Sequence, residues 1–274
     1  MTAATPARPS AGRNSPSPAL HVFEHRWLSY KRTFRASVFS SFLSPVLFLT
    51  AMGLGLGTYV DAGNPSSLGG VTYIQFLAPG LLAATAMQSA AFESTFPIMS
   101  GILWSKVFHA MAATPISVRD IAVGNLAWIA ARLTMISTVF TLVIIAFGAA
   151  AAPTIVFAIP AAVLTGMAFA TPIAAFATTQ YNPNKFNAIF RFGILPLFLF
   201  SGTFYPISNL PQPLQVVAWL TPLFHGVELT RALSLGTVAD DPLAAVIDVA
   251  YLSIMFAIGY VALVRLLDKR MVPK

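Results

Sequence analysis

The chain has 274 residues, no cysteine, 57% hydrophobic and only 9% charged residues, a net charge of +7 and a mean hydropathy of +0.75. Soluble domains run nearer a quarter charged, so a free globular domain is excluded, and apolar runs that are continuous rather than alternating exclude a membrane barrel. Disulfides and thiolate metal sites are impossible, and the Lys and Arg excess reads as the topology signal of a helical membrane protein rather than a nucleic-acid footprint.

Residues 1–19 carry Pro6, Pro9, Pro16 and Pro18 among Ser, Ala and Thr, with Arg8 and Arg13, and predict a disordered cytoplasmic tail. From Leu20, apolar residues recur at helical spacing through Phe23, Trp27, Tyr30 and Phe34, while Glu24, Lys31, Arg32 and Arg35 fall largely off that stripe. Residues 20–36 are therefore expected to form an amphipathic helix at the membrane surface; a simple flank of the first span is the competing reading. Residues 37–274 form the spanning domain. Val38–Val60 is the first span, with Pro45 as a possible kink and Gly53 and Gly57 at a spacing that admits a close helix contact. Residues 61–70 form a polar loop without a base.

Tyr73–Met99 is the second span, and Glu93 stands inside it. A carboxylate at membrane depth is costly and faces protein or water. Glu93 is therefore either a pathway residue or one half of a structural pair, and Arg132 in the third span, Ile121–Gly148, is the candidate partner. The loop Ser100–Asp120 holds Lys106, His109 and Arg119, and Thr114-Pro115 reads as the start of a short helix. Ile155–Thr178 is the fourth span, with Pro160 and Pro172 as expected kinks. The polar run 179–187 carries Lys185 and belongs inside. Phe190–Phe204 is the fifth span, and Ala244–Leu267 the last.

Leading into the last span is the stretch LFSGTFYPISNLPQPLQVVAWLTPLFHGVELTRAL, residues 199–233. It begins as a membrane run and is expected to break at Tyr205-Pro206, because proline lacks a donor and restrains the residue before it. Leu214–Leu223 then follows, too short to cross, with Trp219 suited to an interface. A broken apolar segment is tolerated only where protein or water covers its backbone. It is either a pathway mouth or an ordinary surface hairpin. Phe204, Tyr205 and Phe224 are gate candidates there. His225, Glu228 and Arg231 share one helix face, as a contact for cargo or as a local salt-bridged cluster. With both termini placed in the cytoplasm, the bases from Arg26 to Lys274 lie inside and Arg231 alone outside, which supports an even number of spans; the length has room for about six.

The segments FSGTFYPISNLP and AWLTPLFHGVELTRAL, together with FLAPGLLA and AAFEST in the second span, resemble ABC-2 type transporter permeases. The branch they resemble contains the nodulation-factor export permease and actinobacterial drug or polysaccharide exporters. The resemblance implies an all-α integral membrane protein of the ABC-2, or type V exporter-like, architecture. This has six transmembrane helices, an N-terminal amphipathic interface helix, and a broken, re-entrant-like external segment between spans five and six. It implies a multi-pass permease of the bacterial plasma membrane that moves a drug, lipid-linked or glycan-type substrate outward. Its expected partners are two copies of an ABC ATPase subunit, a second permease, identical or homologous, and membrane lipids, with no nucleic acid. No cofactor is expected on this chain, Mg-ATP being held by the ATPase. The resemblance places ATPase coupling on Thr114, Pro115, Ile116, Ser117, Arg119 and Asp120, and on the interface helix through Glu24 and Arg26.

Independently of that resemblance, the chain contains no G-x-x-x-x-G-K-[ST], H-E-x-x-H or G-x-S-x-G, so a lipid-active membrane enzyme has no constellation to use. An ion-gradient-driven secondary transporter is the remaining alternative. It would call for several buried carboxylates, and the apolar runs show Glu93 as the one candidate.

Overall fold

The computed structural model describes residues 17–31, 43, 45–63, 68 and 70–271. Most of the proline-rich tail, Arg32, Phe34, Arg35 and the first residues of the first span lie outside the described residues. Those described form helices and turns, with no strand among them.

We number ten helical segments. They are α1 (Pro18–Lys31), α2 (Pro45–Gly63), α3 (Tyr73–Met99), α4 (Val107–Ala112) and α5 (Val118–Ala146), then α6 (Pro153–Thr179), α7 (184–200), α8 (Gln212–Trp219), α9 (Pro222–Leu235) and α10 (Pro242–Met271). Four of them, α2, α5, α6 and α10, are long and apolar enough to cross a membrane. The helix expected as the second span, α3, begins and ends where the sequence places it, with Thr72 and Gln75 forming a capping box at its start, although it is not among those four. Its flank was expected to be loop, but the chain stays helical through a π turn, Ser100–Trp104. Two further π stretches widen α2 (Leu49–Leu56) and α7 (Phe190–Ile194).

The centre of the bundle is α3 and α6. Their buried faces are largely alanine, including Ala83, Ala84, Ala86 and Ala90 on α3 and Ala158, Ala162, Ala170 and Ala174 on α6. Small side chains let backbones approach, and in hydrocarbon that packing, rather than water exclusion, holds helices together. The extensive α6–α10 contact shows the consequence. A Cβ on Gly259 would lie 2.6 Å from Pro172 Cδ and 2.7 Å from its nitrogen. Pro172 thus sits where α10 has no side chain. Gly53 and Gly57, spaced for a helix pair, are used within the chain: a Cβ on Gly53 would meet Ile74 at 2.9 Å and one on Gly57 would meet Tyr73 at 3.6 Å. They seat α2 on the start of α3.

The fifth helix stops earlier than the Tyr205-Pro206 step predicts. It ends at Phe200, and Gly202 adopts φ +79°. Glycine takes that left-handed conformation without the Cβ penalty, so the chain turns four residues before the proline can act. The bend leads through a 3₁₀ turn, Ile207–Asn209, to the short helix α8, and Thr221 then caps α9 by accepting from the Phe224 amide at 3.4 Å. The broken architecture of residues 199–233 is present.

Replacing Gly259 with Leu is expected to overpack the α6–α10 crossing and to cost about 1–3 kcal/mol, read as a lower melting temperature of the purified chain in detergent. Gly193→Ala, where nothing lies within 4 Å of the added carbon, should leave the melt within about 0.5 kcal/mol of the parent.

Candidate functional site

Two clusters of polar chemistry stand at opposite ends of the bundle. The first joins α1 to the ends of α3 and α5. Its centre is the pair Arg132 Nε–Glu93 Oε1 at 2.8 Å, with both side chains largely buried. The Arg132 guanidinium lies 4.9 Å from the Tyr30 ring centroid, so the same cation also touches α1. Four residues apart on α5, Gly124, Trp128 and Arg132 make the track on which α1 lies. A Cβ on Gly124 would be 2.6 Å from both Ala19 O and Val22 Cβ. Phe23, Trp27 and Tyr30 surround Trp128 at centroid distances of 6.0, 6.2 and 5.3 Å.

Of the described residues of the stripe read from the sequence, Phe23, Trp27 and Tyr30 therefore reach α5 and Leu20 does not. Leu20 is exposed, and Val22, outside that stripe, is buried. Arg26 is directed inward: its Nε donates to Asn125 Oδ1 at 2.9 Å and its Nη2 to Pro97 O at 3.4 Å. Burial lowers the pKa of Arg26, and the Glu93 carboxylate acts against that by raising it. Arg26 thus anchors α1 rather than presenting a charge outward. Glu24 remains exposed, beside His21 at 3.3 Å.

The loop between the second and third spans also differs from expectation. Thr114-Pro115 does not open a helix; it closes one. The short helix is α4, begun by Lys106 at φ 51° and fixed by Phe108, which is buried against Gly101. Thr114 then turns the chain, its Oγ1 donating to Met111 O at 2.6 Å. The next helix starts with Ser117 as cap, whose Oγ accepts from the Asp120 amide at 3.1 Å while Asp120 Oδ2 accepts from the Ser117 amide at 3.0 Å. Thr114, Pro115, Ser117 and Arg119 are exposed, whereas Ile116 and Asp120 are half-buried. A cavity of about 220 Å³ separates α4 from α1, with Val22, Arg26, Pro97, Phe108, Met111 and Asn125 in its walls.

At the other end the expected trio of His225, Glu228 and Arg231 divides. Arg231 is buried and pairs with Glu228 Oε1 at 2.6 Å. It also donates to Gly202 O at 2.7 Å and to Phe76 O at 3.3 Å, and its guanidinium lies 3.9 Å from the Phe76 ring centroid. One side chain therefore ties α9 to the start of α3 and to the bend after α7. His225 turns instead to Asp248 on α10, Nδ1 to Oδ1 at 2.7 Å, with Tyr251 stacked on it at 4.1 Å. Asp248 is a second buried carboxylate in an apolar run, contrary to the reading that left Glu93 alone. The signal was the same one that marked Glu93, a carboxylate inside a span. Both carboxylates face a basic partner.

Phe204 packs edge-on against Phe198 at 5.0 Å and also meets Phe48 at 5.9 Å. Tyr205 follows, half-buried. Below this aromatic group a cavity of about 500 Å³ lies among α2, α3 and α7. Phe48, Phe92, Phe190 and Phe198 line it, together with the polar Thr85 and Gln88. Phe224 is elsewhere, beside His225 at 5.3 Å.

Residues 20–235 match the ABC-2 type transporter family. The chain belongs to that family. It is 32% identical over 212 residues to nodulation protein J of Sinorhizobium fredii (strain NBRC 101917 / NGR234), covering 77% of this chain and 78% of that one. It is 29% identical over 255 residues to nodulation protein J of Rhizobium leguminosarum bv. viciae, covering 92% and 94%. A third nodulation protein J, from Rhizobium meliloti (strain 1021), is 29% identical over 218 residues, 79% of this chain and 80% of that one. These relatives are rhizobial. Membership makes this ABC-2 protein a multi-pass transport permease of the bacterial plasma membrane, a transport component rather than an enzyme.

Glu93→Gln and Arg132→Met, made singly and together, should show an interaction energy of about 1–2 kcal/mol in a double-mutant cycle on thermal stability. Strict additivity would mean that the pair contributes nothing as a pair.

Proposed function

We propose that this chain is the permease subunit of an ATP-driven exporter and that its α1 end faces the cytoplasm. Six spans, α2, α3, α5, α6, α7 and α10, carry the path. Two permeases, identical or homologous, pair in the membrane, and two ATPase subunits holding Mg-ATP bind beneath them. The observation that carries this reading is the built platform at the α1 end. The exposed turn 113–117 and the first turn of α5 stand beside α1, and α1 is rooted by Arg26 and Tyr30 in the same helices that hold Glu93 and Arg132. A push on the turn enters α5 directly. Because α1 is clamped along α5, both move together, and no flexible linker absorbs the displacement. The distribution of bases supports the orientation: Lys106, Arg119, Lys185, Arg191, Lys269 and Arg270 belong to this end, against Arg231 at the other.

The cavity among α2, α3 and α7 is the route assigned to cargo. Its aromatic walls and its one amide and one hydroxyl, Gln88 and Thr85, suit an amphipathic drug or a lipid-linked or glycan-type molecule with an apolar part. The π stretch in α7 lines it through Phe190 and Ile194, that in α2 begins just after the lining residue Phe48, and such widened turns recur at functional sites. Phe204 and Tyr205 close its outer end. Phe224, His225 and Glu228 hold the helices around the exit.

The test is purification of the tagged chain from its native membrane in mild detergent. A P-loop ATPase should co-purify in equal amount, and Arg119→Glu or Thr114→Arg should return hydrolysis to the level of the isolated ATPase while leaving the permease's melting temperature unchanged. A folded chain that purifies alone without nucleotide hydrolysis, or a variant pair that leaves hydrolysis untouched, overturns the reading.

A further inference from the structure

The end of the bundle away from α1 holds a second cavity, of about 460 Å³, whose walls include Val71, Phe76, Ile207, Phe224 and Leu235. Its lining carries two charged groups that differ in what they show to a ligand. Arg231 is 8% exposed, and its Nε, Nη1 and Nη2 donate to Phe76 O, Glu228 Oε1 and Gly202 O. Glu228 presents a side chain that is 44% exposed. Its Oε1 is taken by Arg231, and among the described residues no donor reaches its other oxygen. The accessible charge of the cavity is therefore a carboxylate on an apolar and aromatic wall.

The surroundings have the same sign. The described residues of this end carry Asp61, Glu228, Asp240, Asp241 and Asp248, against Arg231 as the single fixed cation. A concave apolar site under a field of one sign concentrates counter-ions of the other. Phe224 adds an aromatic ring on which an alkylammonium group can rest. The cavity among α2, α3 and α7 has no charged residue in its described lining, so the two differ in what they select.

We propose that this cavity is a binding site for an organic cation with an apolar or aromatic body, a quaternary or alkylated ammonium in chemical class. The ammonium lies against the free oxygen of Glu228 and the body fills the space between Phe76, Phe224 and Leu235. Glu228 keeps its contact with Arg231, so occupancy does not require the bend at Gly202 to open. The proposal needs neither an ATPase nor an assigned cargo, and it stands or falls separately from the exporter reading.

The experiment uses the purified full chain in nanodiscs of zwitterionic lipid, which offer a cation no bulk charge. Benzyltrimethylammonium is titrated calorimetrically beside benzenesulfonate, an aromatic ion of similar size and opposite sign. The cation should bind saturably and the anion should not. Glu228→Gln, which keeps an acceptor for Arg231, should weaken the cation by at least about fivefold, the scale of one partly exposed charge contact. Thr237→Lys places a new cation in the exposed lining and should weaken it as well; this variant serves where Glu228→Gln fails to fold. Equal binding of the two ions, no saturable binding of the cation, or a cation affinity unchanged in the folded variants overturns the proposal.

Discussion

A guanidinium inside an apolar bundle must be surrounded by acceptors, because its charge cannot be left in hydrocarbon and does not titrate away. Among the described residues Arg26, Arg132 and Arg231 meet that constraint and Arg270 meets it in part, its Nη2 being buried without a hydrogen-bond partner; each becomes a joint between elements far apart in sequence. Arg26 fastens α1 to α3 and α5 through Pro97 O and Asn125. Arg132 joins α5 to α3 through Glu93 and touches α1 at Tyr30. Arg231 ties α9 to the start of α3 and the bend at Gly202. Arg270, near the end of α10, donates to Thr178 O at the end of α6 and lies over Tyr181 at 4.1 Å. The interior between these joints is apolar and rich in alanine, leucine and isoleucine, and it packs without choosing a register as sharply as a directed hydrogen bond does.

The joints divide the molecule into parts of unequal tightness. Around α3 and α6 the packing is close and the side chains small. The helices α2 and α7 sit at the edge, with Tyr59 79% and Phe192 76% exposed, and both contain π turns. A π turn trades regular hydrogen bonding for a local bulge; the one in α7 lines a cavity and the one in α2 begins beside Phe48 in the same wall. The centre is closely packed, and the edge leaves open space beside its helices.

Much of this fold is readable from the residues. The bounds of α3, the broken form of residues 199–233 and the Glu93–Arg132 pair all follow from apolar run length, proline and the cost of membrane-depth charge. The misses share a different cause. Gly202 ends α7 ahead of Pro206 because a left-handed glycine acts locally, whereas the sequence offers several competing breakers in a row. Thr114-Pro115 has the composition of a helix start, yet Phe108 finds a groove at Gly101 and draws the helix earlier. Arg26 looks like a docking charge until the position of Asn125 is known. Asp248 carried the same signal as Glu93 and needed only the same rule.

The sequence by itself determined that the chain is a helical membrane protein without a nucleotide-binding loop, where most of its long helices run, and which end is basic. These are properties of composition and periodicity, and the bilayer imposes them on each helix separately. Tertiary structure decided which charges meet, which glycines face a neighbour and where the cavities lie. His225 and Asp248, or Arg231 and Gly202, come together only through the relative rotation and depth of packed helices. A period of 3.6 residues records the face a helix buries, but not what lies opposite it.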